Sequence, residues 1–574
     1  MPIYDEWILR ADQKPDYHVP LESPLIRSIL QRRGVTCPES FRRFVSPSLE
    51  DLHDGASIHG MDTACERIFR AIHDREAILI YGDYDVDGVT SIVLLTTVLR
   101  RLGADAGYVI PHRLLDGYGL RSEVLERVER ERKVKLVITV DCGITSVEPV
   151  RSAIARGIDV IITDHHLPPG DLPAAAAVLN PRQPGCSYPF KELAGAGVAF
   201  KLCGELLKRS GSSMSLLSLL KIAALGTVAD VAPLIGENRT ITSLGLRGLT
   251  ESRNPGLTAL LRTVGLEGHG VRASDIGFKL GPRINAAGRL ASADTAIQLF
   301  AARSEADAEQ LVEELNRLNR ERQAVEREVR DEAEEQVARN GIENILVLSS
   351  ESWHRGVLGL SAGRLAQKYH RPVLMISIGE NGCVGSGRSI PGINLHEALG
   401  RVAHLFTHFG GHEFACGFSL PAGNLLELSA VLRLQFEARD KESYRRSAWI
   451  EGEVTTRALT RRFMAEHQSL EPFGAGNPQP LFLLTGLSVT ASREFSEGCH
   501  NVTLTRDERS VDAVIWPSQA ELLPLFRSGG DVDLLARLEP DRYSREGMRL
   551  DLVDVAASGQ MIVRNESMEQ AVSS

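Results

Sequence analysis

Three aspartates at alternate positions interrupt an otherwise apolar stretch, ILIYGDYDVDGVTSIVLL, at residues 78–95. Asp83, Asp85 and Asp87 stand close enough to repel one another, so a fold that gathers them needs a compensating charge. Carboxylate oxygens suit divalent ions such as Mg²⁺ and Mn²⁺. The competing reading is a capping turn with surface acids; an EF-hand fragment fits poorly, because no full loop with a closing Glu follows. Gly88 is expected to supply an unusual backbone angle in the turn.

Three further stretches carry the same kinds of ligand. TVDCGI places Asp141 at the end of an apolar run, where a lone Asp is more often a helix N-cap. TDHHLP places Asp164, His165 and His166 together. LGTVADVAPL sets Asp230 among apolar neighbours, where an unpaired carboxylate is costly. One constellation accounts for all four stretches: two divalent cations, Mn²⁺ or Mg²⁺, bridged by Asp141.

The elements that must position these residues read as strand, loop and helix in repetition from about 76 to 235. AILIYGD, KLVITVDCG and DVIITDHH are short, nearly continuous apolar strands, separated by amphipathic helices. That pattern argues for a parallel α/β sheet, in which ligands bind beyond the carboxyl ends of the strands. The acids and histidines stand at those ends. Residues 303–339 contain no Gly or Pro, and Leu311, Leu315, Leu318, Val325 and Val329 make a helical seam interrupted by Arg322. This reads as one long helix connecting two lobes. A second α/β lobe follows, with NILVLSS and PVLMISI as strands around the helix GLSAGRLAQKYH. From about 441, strand-like runs with turn signals suggest a small antiparallel barrel of OB type.

The bulk numbers set limits. The 574 residues carry 65 Lys and Arg against 75 Asp and Glu, a formal net charge of −10. A simple basic nucleic-acid binder has the opposite sign, although a local cationic channel is compatible with an acidic total. Eight cysteines run from Cys37 to Cys499 without a C-x-x-C pair, the usage of a reducing cytoplasm. No apolar run is long enough for a membrane span, and the opening MPIYDEWILRADQKPDYHVP does not read as a signal peptide.

The stretches GDYDVDG, VDCG, TDHH and GTVADVAPL, in this order, resemble the DHH phosphoesterase superfamily, and within it the RecJ branch of single-strand-specific 5′ exonucleases. LGPRINAAGRL (280–290) is similar to that branch's Arg-bearing segment. WHRGVLGLSAGRLAQKYHRPV (353–373) and GSGRSI…FGGHEFACGFSL (385–420) are similar to the accessory DHHA1 domain, and LEPFGAGNPQPLF (470–482) to the start of the RecJ OB domain. The resemblance implies one metal held by Asp83, Asp85 and Asp141 and a second by Asp87, Asp141, His165 and Asp230. It places His166 beside the scissile phosphate, with Asp141, His165 and His166 as the catalytic set. It also implies substrate contacts from Arg283, Asn285, Arg289, Ser386, Arg388, Gly411 and His412. Gly385, Ser386 and Gly387 are expected to bring backbone close to a phosphate, against the plainer reading of a tight turn with a solvated Arg.

The expected fold class is α/β: a DHH core with a parallel sheet and a DHHA1 lobe joined by a long helix, plus a C-terminal OB-like β-barrel. The expected division is an N-terminal helical arm (1–60), the DHH core (61–240), its helical extension (241–302), the connecting helix (303–340), DHHA1 (341–440), the OB-like domain (441–560) and a tail (561–574). The function this implies is a 5′→3′ exonuclease on single-stranded DNA in recombination and repair, working as a cytoplasmic monomer with a single-strand-binding protein and a helicase as partners. A narrow cleft between the lobes would exclude duplex, and the barrel would feed the strand in. Arg445, Arg446, Arg461 and Arg462 near the barrel's start read singly as a solvated face. The alternatives are a DHH enzyme acting on a cyclic dinucleotide, an oligoribonucleotide or pyrophosphate, against which PFGAGNP argues, and a non-catalytic scaffold, against which the full set of acids and histidines argues.

Overall fold

A computed structural model describes residues 2–112, 119–380, 382–527, 529–541, 544 and 546–566. The chain forms two compact bodies. The first comprises residues 47–433 and 472–477; the second comprises residues up to 46, 434–471 and the chain from 478 onward.

The first body opens on a five-stranded, wholly parallel sheet. Its spatial order is Ala106–Val109, Ala77–Gly82, Val134–Val140, Asp159–Thr163 and Ala177–Leu179. The strands are apolar on both faces because both are covered. Ile78, Ile80, Leu136, Ile138 and Ile161 enter one core, and Leu79, Tyr81, Val137, Val160 and Ile162 the other. The register pairs Gly82 with Val140, Val140 with Thr163 and Thr163 with Leu179. The next residues, Asp83, Asp141, Asp164 and Asn180, therefore leave the sheet at one level. The two outer strands were not anticipated, since at four and three residues they are too short to show a period.

The helix Glu305–Asn340 is 36 residues long, about 54 Å at the usual rise. Ser304 caps it, accepting from the Asp307 N–H at 3.1 Å, and Gly341, at φ 85°, ends it. Ala308, Val312, Leu315 and Leu318 belong to the core of the parallel-sheet lobe. Val329, Ala333 and Val337 belong to the core of the next lobe. Between them Arg322 interrupts the apolar seam, as expected, but it is not solvated: it is 6% exposed and donates to Glu326 Oε2 and Asn319 Oδ1, each at 3.0 Å. The lobe beyond is a mixed sheet in the order His408–His412, Ala415–Leu420, Gly382–Arg388, Val373–Gly379 and Leu346–Ser350, with only the last pair parallel.

The second body contains a closed barrel. Phe482–Ser496 pairs with Cys499–Arg506, that with Arg509–Ile515, that with Met548–Ala557, that with Asp531–Pro540, and the last returns to the first. The expected barrel is antiparallel; the observed one closes through one parallel pair, Arg509–Ile515 with Met548–Ala557.

Both ends of the chain depart from expectation. The arm at 1–60 is not only helical: Glu6–Leu9 is a strand lying parallel to Ser447–Ile450 on one side and Val563–Asn565 on the other. The tail expected from 561 is thus tied in through Glu566, whose N–H donates to Leu9 O at 2.8 Å, and residues 567–574 lie outside the described ones. A four-residue strand whose partners are more than four hundred positions away has no local signature. It is held by side chains instead. Trp7 is fully buried, and the Asp554 carboxylate accepts from the Ile3 N–H at 2.7 Å, the Tyr4 N–H at 3.2 Å and Trp7 Nε1 at 2.9 Å. Asp554→Ala strands these donors, so the second body should lose about 2–3 kcal/mol. A denaturant titration followed by tryptophan fluorescence measures that loss, and an unchanged midpoint contradicts it.

Candidate metal centre and substrate-binding residues

The aspartate loop is shaped by close approach. Asp85 caps the helix Val86–Arg101, its Oδ1 accepting from the N–H groups of Asp87 at 2.9 Å and Gly88 at 3.1 Å. Gly88 does not supply an unusual angle, contrary to expectation: it is helical, and it is needed because a Cβ there would lie 2.4 Å from the Asp83 carbonyl oxygen. Asp87 is turned inward and gripped by the start of the helix Gly195–Ser210. Its two oxygens accept from Gly195 N and Ala196 N, each at 2.7 Å, where the helix dipole favours a carboxylate. Asp141 follows its strand in the left-handed region at φ 58°, a rare conformation for a non-glycine residue. Asp230 caps the C-terminus of the helix Leu217–Ala229.

These elements bring the ligand atoms together. Among the described residues three groups form, each with one ligand atom per residue within 4.8 Å of the others: Asp83, Asp85 and Asp141; Asp87, His165 and Asp230; and Asp141, His165 and His166. His165 Nε2 lies 3.1 Å from Asp141 Oδ1, 3.8 Å from Asp230 Oδ2 and 3.9 Å from Asp87 Oδ2. Asp164 stands apart from the ligand groups and supports them. Its carboxylate accepts from Ile144 N at 2.9 Å and His165 N at 2.7 Å, and engages His166 Nδ1 at 2.7 Å.

The electrostatics call for cations. Burial, then the neighbouring carboxylates, pushes Asp141 well above the ordinary carboxylate range. The same causes raise Asp230 to about 9. Asp87 rises to about 7 through burial and the Asp85 charge, against the two N–H groups that hold it. Burial, then the His166 charge, lowers His165 to about 3, so it is the neutral imidazole that ligates metals. For His166, burial works downward, but the Asp164 hydrogen bond and charge overcome it and raise the group to about 9. Asp141 Oδ1 and His165 Nε2 are buried, face each other and make no hydrogen bond. Carboxylate oxygens with one imidazole, carrying lone pairs turned on a common space, fit Mn²⁺ or Mg²⁺.

Two glycines leave room for this packing. A Cβ on Gly195 would meet Asp141 Oδ1 and Asp87 Oδ2 at 2.9 Å, and one on Gly226 would meet Asp87 Oδ1 at 2.6 Å. Gly226 lies inside the stretch that announced Asp230, but its role was not visible there; Gly195, in the small-residue run LAGAGVAF, was missed. Arg182, just past the last strand, was also missed: its charge acts on His165, Asp230 and His412 while it is held by Lys191 O and Glu192.

The expected substrate residues are more scattered. Asn285 Oδ1 accepts from Val86 N at 3.1 Å, so it orients the aspartate loop. Gly288 packs beside the same loop, where a Cβ would lie 2.3 Å from Tyr84 O. Arg283 bonds Asn316 and Lys279 O, tying its helix to the long one. Arg289 donates to Gly356 O at 3.1 Å, linking the two lobes. GSGR is not a turn but part of the strand Gly382–Arg388, with Gly385, Ser386 and Gly387 paired on both sides. Its backbone is committed to the sheet and cannot cradle a phosphate, which corrects that expectation. The Ser386 and Arg388 side chains share one face beside Gly359, where a Cβ would lie 3.0 Å from Ser386 Oγ and 2.9 Å from Arg388 Nη2. Gly411, at φ 136°, opens a tight hairpin, as a Cβ would strike Ala415 O at 2.2 Å. His412 is exposed at its surface, and partial burial, then the charge of His166, lowers its pKa. Arg445 and Arg462 pair with Glu442 and Glu22 respectively.

A parallel sheet presenting acids and histidines at its carboxyl edge, followed by a mixed-sheet lobe and a closed barrel, defines a metal-dependent phosphoesterase of several domains. Family models for the DHH family, N-terminal domain, the DHHA1 domain and the RecJ OB domain match residues 77–227, 343–438 and 450–553. The single-stranded-DNA-specific exonuclease RecJ of Bacillus subtilis is 36% identical over 542 residues, 93% of this chain and 68% of that one. Its Escherichia coli namesake is 35% identical, over 80% of this chain and 83% of that one. The crystal structure of RecJ in complex with Mn²⁺ from Thermus thermophilus superposes with a TM-score of 0.80 at 28% identity, over 97% of this chain and 80% of that one. The chain belongs to the RecJ family.

Gly195→Ala pushes a methyl group into Asp141 and Asp87 while leaving the helix intact. Metal-dependent phosphodiesterase activity is expected to fall about 10- to 100-fold with the circular dichroism spectrum unchanged. Activity equal to wild type would show that the close approach is not required.

Proposed function

We propose that this protein is a single-stranded-DNA-specific 5′→3′ exonuclease that hydrolyses phosphodiesters with two divalent cations, releases 5′-mononucleotides and serves DNA recombination and repair. The observation that carries the proposal is the convergence of four chain segments on one pocket of ligand atoms, with His165 Nε2 and Asp141 Oδ1 buried 3.1 Å apart and unbonded. Asp83, Asp85 and Asp141 are assigned to one ion, and Asp87, Asp141, His165 and Asp230 to the other. When bound, the ions supply the Lewis acidity that yields a hydroxide nucleophile near neutral pH and neutralises phosphodiester charge.

The chain's own residues supply orientation. Asp164 fixes the His166 ring through Nδ1, which assigns Nε2 to donation towards a non-bridging phosphate oxygen. His412, from the other lobe, is assigned to the same substrate segment. Arg289 ties the lobes together across this space. Arg388 and Ser386 are assigned to the terminal 5′-phosphate: a guanidinium, a hydroxyl and the start of the adjoining helix Leu358–Tyr369 are the groups that hold a dianion. The barrel is assigned to the single strand, chiefly through backbone contacts, since aromatic residues are only 5% of the chain. A monomeric state, a cytoplasmic location, and a helicase and single-strand-binding protein as partners belong to the same proposal and rest on the family alone. No described helix is long and apolar enough to cross a membrane.

Asp141→Ala should abolish nuclease activity and leave the fold intact; in chelator its thermal stability should not drop, because one of several mutually repelling carboxylates is gone. The assay offers 5′-labelled single strand, duplex, a dinucleotide and pyrophosphate, with Mn²⁺ and with chelator. Equal release from duplex and single strand, or preference for the dinucleotide, refutes the proposal. Arg388→Ala should weaken 5′-phosphorylated ends about tenfold or more relative to 5′-hydroxyl ends, and equal loss on both would reduce Arg388 to a general backbone contact.

A further inference from the structure

The stretch PFGAGN does not stay with the barrel it precedes in sequence. Residues 472–477 belong to the first body, whereas the residues on either side belong to the second. The loop closes on itself: Gly474 N donates to Asn477 O at 2.9 Å, Asn477 N to Gly474 O at 3.1 Å, and the buried Asn477 Nδ2 to Pro472 O at 2.7 Å. It is seated on the segment that follows Asp230. Leu234 N donates to Ala475 O at 2.6 Å. A Cβ on Gly474 would lie 2.6 Å from Leu234 Cδ1, and one on Gly476 would lie 3.1 Å from Pro233 Cβ and 3.2 Å from Ile235 Cγ2. Leu234 is 2% exposed, so it has nowhere to swing.

That segment is under strain at its first residue. Asp230 ends its helix, Val231 N bonds Val228 O at 3.1 Å and Ala232 N bonds Thr227 O at 3.2 Å. This is the Schellman pattern, whose turning residue is normally Gly or Asn. Here it is Val231, at φ 59°, and a β-branched residue in that region is an outlier. Val231 is 70% exposed, so its own packing does not hold it there. A strained residue persists only where the surroundings over-determine it. The surroundings are Asn238 Nδ2, donating to Pro233 O at 3.1 Å, and the PFGAGN loop on Leu234.

We infer that the Pro472–Asn477 loop is a positioning element of the metal centre: by clamping Ala232–Ile235 it holds the strained turn at Val231 and so fixes the Asp230 carboxylate opposite His165. The inference rests on the two-cation reading of the preceding subsection. It gives the loop a role in the hydrolytic centre, although the chain on both sides of it belongs to the other body.

The test is Mn²⁺ binding to the full chain, titrated by electron paramagnetic resonance. Wild type should bind two ions, and Asp230→Asn should weaken one of them. Gly474→Val, which pries the loop off Leu234, should reproduce that loss by about tenfold or more, with an unchanged thermal transition. Adding Val231→Gly, which removes the strain, should restore part of the affinity. Should Gly474→Val not fold, Leu234→Ala loosens the same contact from the other side and carries the same expectation. Two ions bound as tightly as in wild type, or a loss that Val231→Gly leaves untouched, would overturn the positioning role. A wild-type protein that binds no Mn²⁺ would instead refute the two-cation reading itself.

Discussion

Mutual repulsion among carboxylates buried at the carboxyl edge of a parallel sheet is the constraint on which the molecule turns. Asp83, Asp87 and Asp141 are nearly inaccessible, and Asp230 joins them from the end of a separate helix. Burial and proximity both oppose the ionisation of Asp87, Asp141 and Asp230. Such an arrangement persists when something else holds the groups in place and when cations complete it. The fold does the holding with backbone: two N–H groups of a helix start on Asp87, the capped aspartate loop, and a left-handed turn at Asp141.

The supporting contacts are backbone approaches more than side-chain interlocks. Gly88, Gly195, Gly226 and Gly288 each stand where a single methyl group would collide with a backbone or carboxylate oxygen of the cluster or its loop. Helices can then come within hydrogen-bonding distance of carboxylates that would otherwise be solvated. The long helix extends the same economy to the second lobe: one half packs in each core, and the buried Arg322–Glu326 pair spans the crossing.

Legibility in the sequence followed how local the cause was. The aspartate triplet, the TDHH run and the long Gly- and Pro-free helix are determined by neighbours in the chain, and they were readable. The GSGR segment misled because its glycines suggest backbone free to approach a phosphate, whereas they lie in a strand bordered on both sides; small residues suit it since Phe418 crosses over Gly385, where a Cβ would lie 2.2 Å from the ring. The strand Glu6–Leu9 and the role of Gly195 were not readable, since each depends on a partner far along the chain.

Residue types and spacing alone determined that this chain carries a carboxylate–imidazole cluster on strand ends, a second lobe and a barrel. Hydrophobic period and ligand chemistry are properties of short segments, so they survive without coordinates. Only the tertiary structure decided which acid bears on which histidine, that Asp164 holds the His165 N–H and the His166 ring, and that PFGAGN packs on the segment after Asp230. Those are distances between segments, and a distance across a fold is set by the packing of everything between them, which no single stretch of sequence contains.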